Sequence, residues 1–261
     1  VGAAVAAQVD LDRLQALAGE APALQRPHPA PSVPATADPR LRIGIARDRA
    51  FCFYYADDLA ALEAAGAQLV AIDTLADTRL PALDGLFIGG GFPEVHLDAL
   101  AANAALRHAL RDAIAAGLPT YAECGGLMYL ARSLRWKDRV VPMVGAIPGD
   151  AVMHERPVGR GYVHLEETAV FPWPGARSPV RAHEFHHSSL DHLDAQARYA
   201  YRVTRGHGID GAHDGVVVGN LLASYAHRHS AGVDGWAPRF MAFVRQVQAE
   251  REAKPAEALA L

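Results

Sequence analysis

Leu118-Pro-Thr-Tyr-Ala-Glu-Cys-Gly-Gly-Leu-Met-Tyr-Leu130 is the stretch on which the reading of this chain turns. Pro119 to Ala122 reads as a short strand, Glu123-Cys124 as a sharp turn, and Gly125-Gly126 as the start of a helix. A cysteine placed there sits at a helix N-terminus, where the helix dipole and free backbone N–H groups favour thiolate over thiol. The two glycines behind it carry no Cβ, so a substrate carbonyl can come close to the main chain. This is the pattern of a nucleophile elbow, with sulfur in place of a serine oxygen. Any single free cysteine also reads as a small buried hydrophobe. The turn and the Gly-Gly pair weigh against that here.

Upstream, Leu41-Arg-Ile-Gly-Ile-Ala46 reads as a first strand, Arg47–Tyr55 as a loop, Asp57–Ala65 as a helix stopped by Gly66, and Gln68–Ile72 as a second strand. That order implies a parallel sheet with a right-handed crossover. A third strand, Asp84–Ile88, runs into Gly89-Gly-Gly-Phe-Pro-Glu94, and helices at about 95–101 and 104–116 lead to the elbow. Functional loops of an open parallel sheet lie beyond the carboxyl ends of its strands. The glycine run and Cys124 therefore share one edge. A tight turn without a ligand is the plain alternative for the run. The N–H of Gly90 or Gly91 is expected as one oxyanion donor and that of Gly125 as the other.

Downstream from Arg139 the texture changes to short alternating or apolar segments: Arg139–Val144, Arg160–Leu165, Arg198–Val203, and Gly215–Gly219 running into Asn220–Tyr225. They read as antiparallel sheet added to the parallel core. The fold class is therefore α/β, a mostly parallel central sheet flanked by helices with an antiparallel extension in the C-terminal half. Gly235–Arg251 reads as a last helix and 251–261 as a frayed tail.

Bulk properties narrow the function classes. The chain has 261 residues, 51% hydrophobic and 21% charged, with a net charge of −4. Nothing in this balance suggests nucleic acid or an anionic membrane as partner, and no apolar run approaches a membrane span of about 20 residues. Two cysteines, Cys52 and Cys124, fit a reduced cytoplasmic protein better than a disulfide framework. At the start, Ala3–Ala18 reads as one amphipathic helix stopped by Gly19, followed by a spacer holding Pro27, Pro29, Pro31, Pro34 and Pro39. With no initial methionine, residues 1–39 read as the end of a preceding domain plus linker, and 40–250 as the domain proper.

A cysteine nucleophile needs a base within hydrogen-bond reach. Three histidine clusters compete: His154 with His164, His183-Glu-Phe-His-His187, and Ala223-Ser-Tyr-Ala-His-Arg-His229. A surface or capping histidine is the plain reading of each. The third follows an apolar extended segment that ends near His227, which puts His227 at the sheet edge that carries Cys124. The spacings fit no helical metal motif, so no metal site is expected.

These residues resemble a known family. Gly-Gly-Gly-Phe-Pro-Glu after a strand, then Tyr-Ala-Glu-Cys-Gly-Gly-Leu-Met-Tyr-Leu, then a late Ala-Ser-Tyr-Ala-His, is similar to the class I (triad-type) glutamine amidotransferase domain, and more narrowly to its cobyric acid synthase and cobyrinate a,c-diamide synthase branch. Arg181-Ala-His-Glu-Phe-His186 with Ser188 fits the same branch. The resemblance spans about residues 40–250. It implies that Cys124 attacks the side-chain amide of glutamine, that His227 raises its nucleophilicity, and that Glu94, Arg181 and His186 hold glutamine or contact a partner domain. The ammonia released would amidate the a and c carboxylates of a corrinoid, cobyrinic or hydrogenobyrinic acid, in cobalamin biosynthesis.

Two departures stand out. The general class closes its motif with His-x-Glu, whereas His229 occupies that place here, so the site reads as a Cys–His dyad. Family members also carry an ATP-binding half; here the lysines are Lys137 and Lys254, neither behind a Gly-rich turn. ATP and Mg²⁺ are therefore expected of the full-length enzyme and no cofactor of this chain. A homodimer is left open. A cysteine hydrolase or peptidase on a related fold, a cobyric acid synthase-type amidotransferase, and a non-enzymatic interface domain are the competing readings.

Overall fold

The computed structural model describes residues 2–23, 41–230 and 235–258. The proline-rich spacer expected before residue 40 and the last three residues of the expected tail lie outside them. The chain divides into two compact units, Val1–Pro34 and Ala35–Leu261. The first holds α1 (Gly2–Ala6) and α2 (Leu11–Glu20), not the single helix expected. Asp10 breaks the run: its carboxylate accepts from the Arg13 N–H at 2.9 Å and caps α2, while Gly19 is carried inside the helix.

In the second unit the strands are β1 (Leu41–Ala46), β2 (Phe51–Phe53), β3 (Ala67–Ile72), β4 (Gly85–Ile88), β5 (Gly90–Gly91), β6 (Thr120–Glu123), β7 (Ala131–Trp136) and β8 (Arg139–Pro142). They continue with β9 (Ile147–Met153), β10 (Gly159–Glu167), β11 (Pro179–His186), β12 (Ser188–Asp191), β13 (Arg198–Arg205), β14 (His213–Val218) and β15 (Leu221–Ser224). The helices are α3 (Ala56–Ala64), α4 (Leu97–Ala102) behind a 3₁₀ turn at Pro93–His96, α5 (Ala104–Ala115), α6 (Gly125–Leu130) and α7 (Trp236–Ala258).

Among the described residues, nine strands form one sheet in the order β11-β10-β13-β14-β15-β6-β4-β1-β3. The pairs β15–β6, β6–β4, β4–β1 and β1–β3 are parallel and the rest antiparallel. The α/β class with an antiparallel C-terminal extension thus stands. Strand alternation feeds two cores. Leu86, Ile88 and Ala122 face a layer with Leu100, Leu106, Leu110 and Ile114 of α4 and α5. Ile43, Ile45, Phe87 and Tyr121 face Leu62 of α3 and Trp236, Phe240 and Val244 of α7. Tyr121 anchors the second core, its ring 5.3 Å from Phe87 and 5.0 Å from both Trp173 and Trp236.

Three expectations need correction. Residues 47–55 are not all loop: Phe51–Phe53 pairs antiparallel with Gly90–Gly91, so the glycine run is itself a short strand. The C-terminal half does not all extend one sheet, because β12-β9-β7-β8 forms a second one in which α6 hands directly to β7. Residues 213–225 are two strands, turned at Gly219-Asn220 with Gly219 at φ 55°, and β15 lies parallel beside the elbow strand. All four β15 residues are buried, as a strand with sheet on both sides must be. The last helix runs on to Ala258, past the position expected for fraying. No helix of the described residues is long and apolar enough to cross a membrane.

Candidate active site

The strand β6 ends at Glu123 and α6 begins at Gly125, so one residue turns the chain. That residue, Cys124, has φ 47° and ψ −101°, a conformation that L-residues rarely adopt. Such strain costs on the order of 1–3 kcal/mol and persists only where its surroundings hold it. Here its N–H donates to the Ser224 carbonyl at 2.8 Å, which ties the elbow to β15. The cysteine is 8% exposed, at the floor of a cavity, and its sulfur lies 3.8 Å from the Phe185 carbonyl.

Glycine is required directly behind the elbow. A Cβ on Gly125 would stand 2.8 Å from the Gly91 nitrogen and 2.9 Å from its oxygen. The glycine run and the helix start therefore meet backbone to backbone, and the expected oxyanion donors Gly91 and Gly125 adjoin Cys124. A Cβ on Gly90 would come 2.7 Å from Cε1 of His227, so Gly90 shapes the wall behind that imidazole. Tyr54 pins the start of the run: its hydroxyl donates to the Ala46 carbonyl at 2.5 Å and accepts from the Gly89 N–H at 2.9 Å.

His227 lies where the extended segment was expected to deliver it, 6% exposed and lining one small cavity together with Cys124. Its backbone is held by a reciprocal pair of bonds to His183. Its N–H donates to the His183 carbonyl at 2.7 Å, and its carbonyl accepts from the His183 N–H at 3.1 Å. The turn before it is fixed by the buried Asp214 carboxylate, which accepts from the N–H groups of Tyr225 and Ala226 and from the Ser224 hydroxyl.

The acid that was expected to be missing is present. Glu123, next to the nucleophile in sequence and 3% exposed, places Oε2 3.3 Å from Nδ1 of His227. Its Oε1 accepts from the Tyr121 hydroxyl at 2.6 Å and from the Arg228 N–H at 3.0 Å. The dyad reading therefore gives way to a Cys124–His227–Glu123 line. His229 takes no part: its ring packs edge-on to Tyr55 and its Nε2 is 3.7 Å from Asp57. Glu123 and Tyr121 are two apart on one strand and share a face, a signal the sequence carried once the strand was assigned.

Burial disfavours charge on His227, but the hydrogen bonds to Cys124 and Glu123 and their negative charge overcome it and push its pKa up to about 10. The imidazole thus holds a proton at neutral pH, facing the sulfur. Burial, with the His227 cation beside it, lowers the pKa of His183.

The cavity over Cys124 measures about 440 Å³ and is lined by Gly91, Glu94, Met128, His154, Glu155 and His187 among others. That volume suits a small ligand. Glu94 lies in it half-buried, its pKa raised by desolvation. His186 forms part of the wall, but its ring stacks on Tyr225 at 3.8 Å and its Nδ1 donates to the Ser188 carbonyl at 2.8 Å. Arg181 does not line this cavity; it stands in a different one beyond His227. Among the described residues, no three or more His, Cys, Asp or Glu side chains are grouped to hold a metal.

Residues 42–234 match the family model described as a CobB/CobQ-like glutamine amidotransferase domain. The chain is 42% identical over 250 residues to a cobyrinate a,c-diamide synthase from Magnetococcus marinus, covering 94% of this chain and 54% of the relative. It is 41% identical over 237 residues to one from Methanosarcina acetivorans, covering 85% and 47%. The chain thus spans about half the length of the curated relatives it matches. In fold it is similar to PurLQS from Thermotoga maritima, with a TM-score of 0.60 at 16% identity over 80% of this chain and 99% of that one. It is also similar to a solved glutamine amidotransferase, with a TM-score of 0.57 at 16% identity over 77% and 98%.

Proposed function

Because the chain belongs to the CobB/CobQ-like glutamine amidotransferase family, we propose that it hydrolyses the side-chain amide of glutamine at Cys124 and so supplies ammonia for an amidation. The observation that carries this reading is the strained, buried Cys124 sharing a cavity wall with His227, whose Nδ1 faces the Glu123 carboxylate.

In this reading glutamine enters the 440 Å³ cavity, with its α-ammonium against Glu94. With its proton held on His227, the Cys124 sulfur attacks the amide carbon. The carbonyl oxygen becomes an oxyanion beside the N–H groups of Gly125 and the Gly90–Gly91 run, donors worth roughly 3–4 kcal/mol each where measured elsewhere. The C–N bond then breaks, and the nitrogen leaves as ammonia with the proton from His227, giving a γ-glutamyl thioester. His227, now neutral, takes a proton from water, which attacks the thioester. Collapse returns that proton to the sulfur–imidazole pair and releases glutamate. Glu123 keeps Nδ1 protonated throughout, so that Nε2 is the nitrogen that exchanges protons with sulfur.

The acceptor follows from the relatives' names: the a and c carboxylates of cobyrinic acid. Their activation would need ATP and Mg²⁺, and in this reading both belong to the length of the relatives that this chain does not span. The test is glutamate release from glutamine by the wild type and by Cys124→Ala. Loss of more than about 10³-fold is expected, and equal rates would overturn the proposal.

A further inference from the structure

Beyond His227, on the side away from the glutamine cavity, lies a basin of about 430 Å³ lined in part by Tyr162, His164, Arg181, Arg205 and His229. It contains no carboxylate; every ionisable side chain in its wall is an arginine, a histidine or a tyrosine. The pairing register explains how the cations come together. On β10, His164 stands opposite Arg181 of β11 on one side and Arg205 of β13 on the other. Three basic side chains therefore lie in one row across three strands.

Arginines on a sheet are commonly matched by a carboxylate across the strands. The neighbouring position shows such a match, since Glu166 pairs with Arg202 across the same two strands. Among the described residues, Arg181 and Arg205 have no such match. Neither guanidinium forms an ion pair or a side-chain hydrogen bond. Two exposed guanidinium groups without a protein partner thus face the same basin, free to take an anion.

The basin also connects to the chemistry. His183 and His227 form part of its wall and also of a smaller cavity of about 190 Å³, bounded by Phe53, Phe92 and Phe185, which opens at Cys124. The two cavities thus share one wall, the bonded pair His183 and His227, with the Cys124 sulfur on one side of it and the basin on the other.

We infer that the Arg181–His164–Arg205 row binds the carboxylate or acyl-phosphate anions of the ammonia acceptor, a polycarboxylate, and holds it beside the His183–His227 wall. The inference rests on the glutaminase reading above and deepens it.

The probe is tricarballylate, a flexible tricarboxylate, with inorganic phosphate as a second anion, titrated into this chain and followed by the imidazole NMR signals. Saturable shifts are expected at His164 and His229, with His154 and His187 in the glutamine cavity unmoved. In Arg181→Gln/Arg205→Gln the affinity should fall at least tenfold. Glutamate release should stay within twofold of wild type, and Tm should hold, because both side chains are exposed. In the full-length protein the same pair should raise KM for the acceptor at least tenfold. Equal anion affinity in wild type and double variant would overturn the inference. So would an unchanged acceptor KM with weakened association of the two halves, which would assign the row to acidic side chains of the protein itself. Failure of Cys124-dependent glutamine hydrolysis is a separate result and bears on the glutaminase reading, because anion binding is read without turnover.

Discussion

Replacing Glu123 by Gln tests the role given to this carboxylate, and its effect can be worked from the contacts. Oε1 accepts two hydrogen bonds, from the Tyr121 hydroxyl at 2.6 Å and the Arg228 N–H at 3.0 Å, while Oε2 accepts from His227 Nδ1 at 3.3 Å. A glutamine amide offers one oxygen and one NH₂ group. If the oxygen keeps Tyr121 and Arg228, the NH₂ meets Nδ1–H donor to donor. The imidazole must then carry its proton on Nε2 and become the wrong tautomer for a base toward sulfur. If the amide flips, the Arg228 N–H loses its acceptor inside the core. Either arrangement forfeits one charge-assisted hydrogen bond, about 2–3 kcal/mol. At about 1.36 kcal/mol per tenfold this is roughly 30- to 150-fold in kcat/KM for glutamine hydrolysis.

The pH profile separates a positioning role from a structural one. The folded pKa of His227, about 10, lies above its ordinary 6.5. Its bound proton therefore adds stability that is complete below pH 6.5 and is lost as pH rises through about 10. Glu123→Gln removes part of that increment, so the Tm gap to wild type should narrow across this window, and the alkaline limb of the rate profile should move to lower pH. Glutamate release followed from about pH 6 to about 10.5 covers the range. A variant within threefold of wild type, with its alkaline limb in place, would show that Glu123 does not position His227.

Other perturbations have equally definite outcomes. Gly125→Ala drives a methyl to 2.8 Å from the Gly91 nitrogen, against backbone that cannot swing aside; steady-state kinetics should show kcat down about 10²–10³-fold and thermal melts a loss of roughly 1–3 kcal/mol. Asp214→Asn removes the anion that gathers the N–H groups of Tyr225 and Ala226 and the Ser224 hydroxyl in the turn before His227. Denaturant titration should report a loss of about 2–4 kcal/mol. Glu94→Gln should raise KM for glutamine about tenfold or more with a smaller change in kcat, the signature of lost ground-state binding.

Much of this was legible in the chain because local chemistry and tertiary role agreed. Cys124 between a strand and Gly-Gly fixes an elbow whatever surrounds it, and the extended segment before His227 delivers that residue to the same edge. What escaped the reading depends on pairing between distant segments. Phe51–Phe53 has no period of its own and becomes a strand only because Gly90–Gly91 lies beside it. Leu221–Ser224 reads as a continuation of the preceding strand, yet a two-residue turn inserts it parallel to β6, where it binds the Cys124 N–H. Glu123 does not stand two residues after the histidine, where the general motif places the acid, but beside the nucleophile. Its carboxylate reaches His227 from a strand more than a hundred residues earlier. Arg181 and His186, adjacent in the motif, part company because one points outward from β11 and the other inward onto Tyr225.

The most direct test of the central claim is covalent labelling with an electrophilic diazoketone analogue of glutamine, read by peptide mass spectrometry. Cys52 is exposed and serves as the internal control. One adduct is expected, on Cys124, suppressed by glutamine and slowed in His227→Ala, with Cys52 unmodified. Labelling that glutamine does not suppress, or that falls on Cys52 in preference to Cys124, would contradict it.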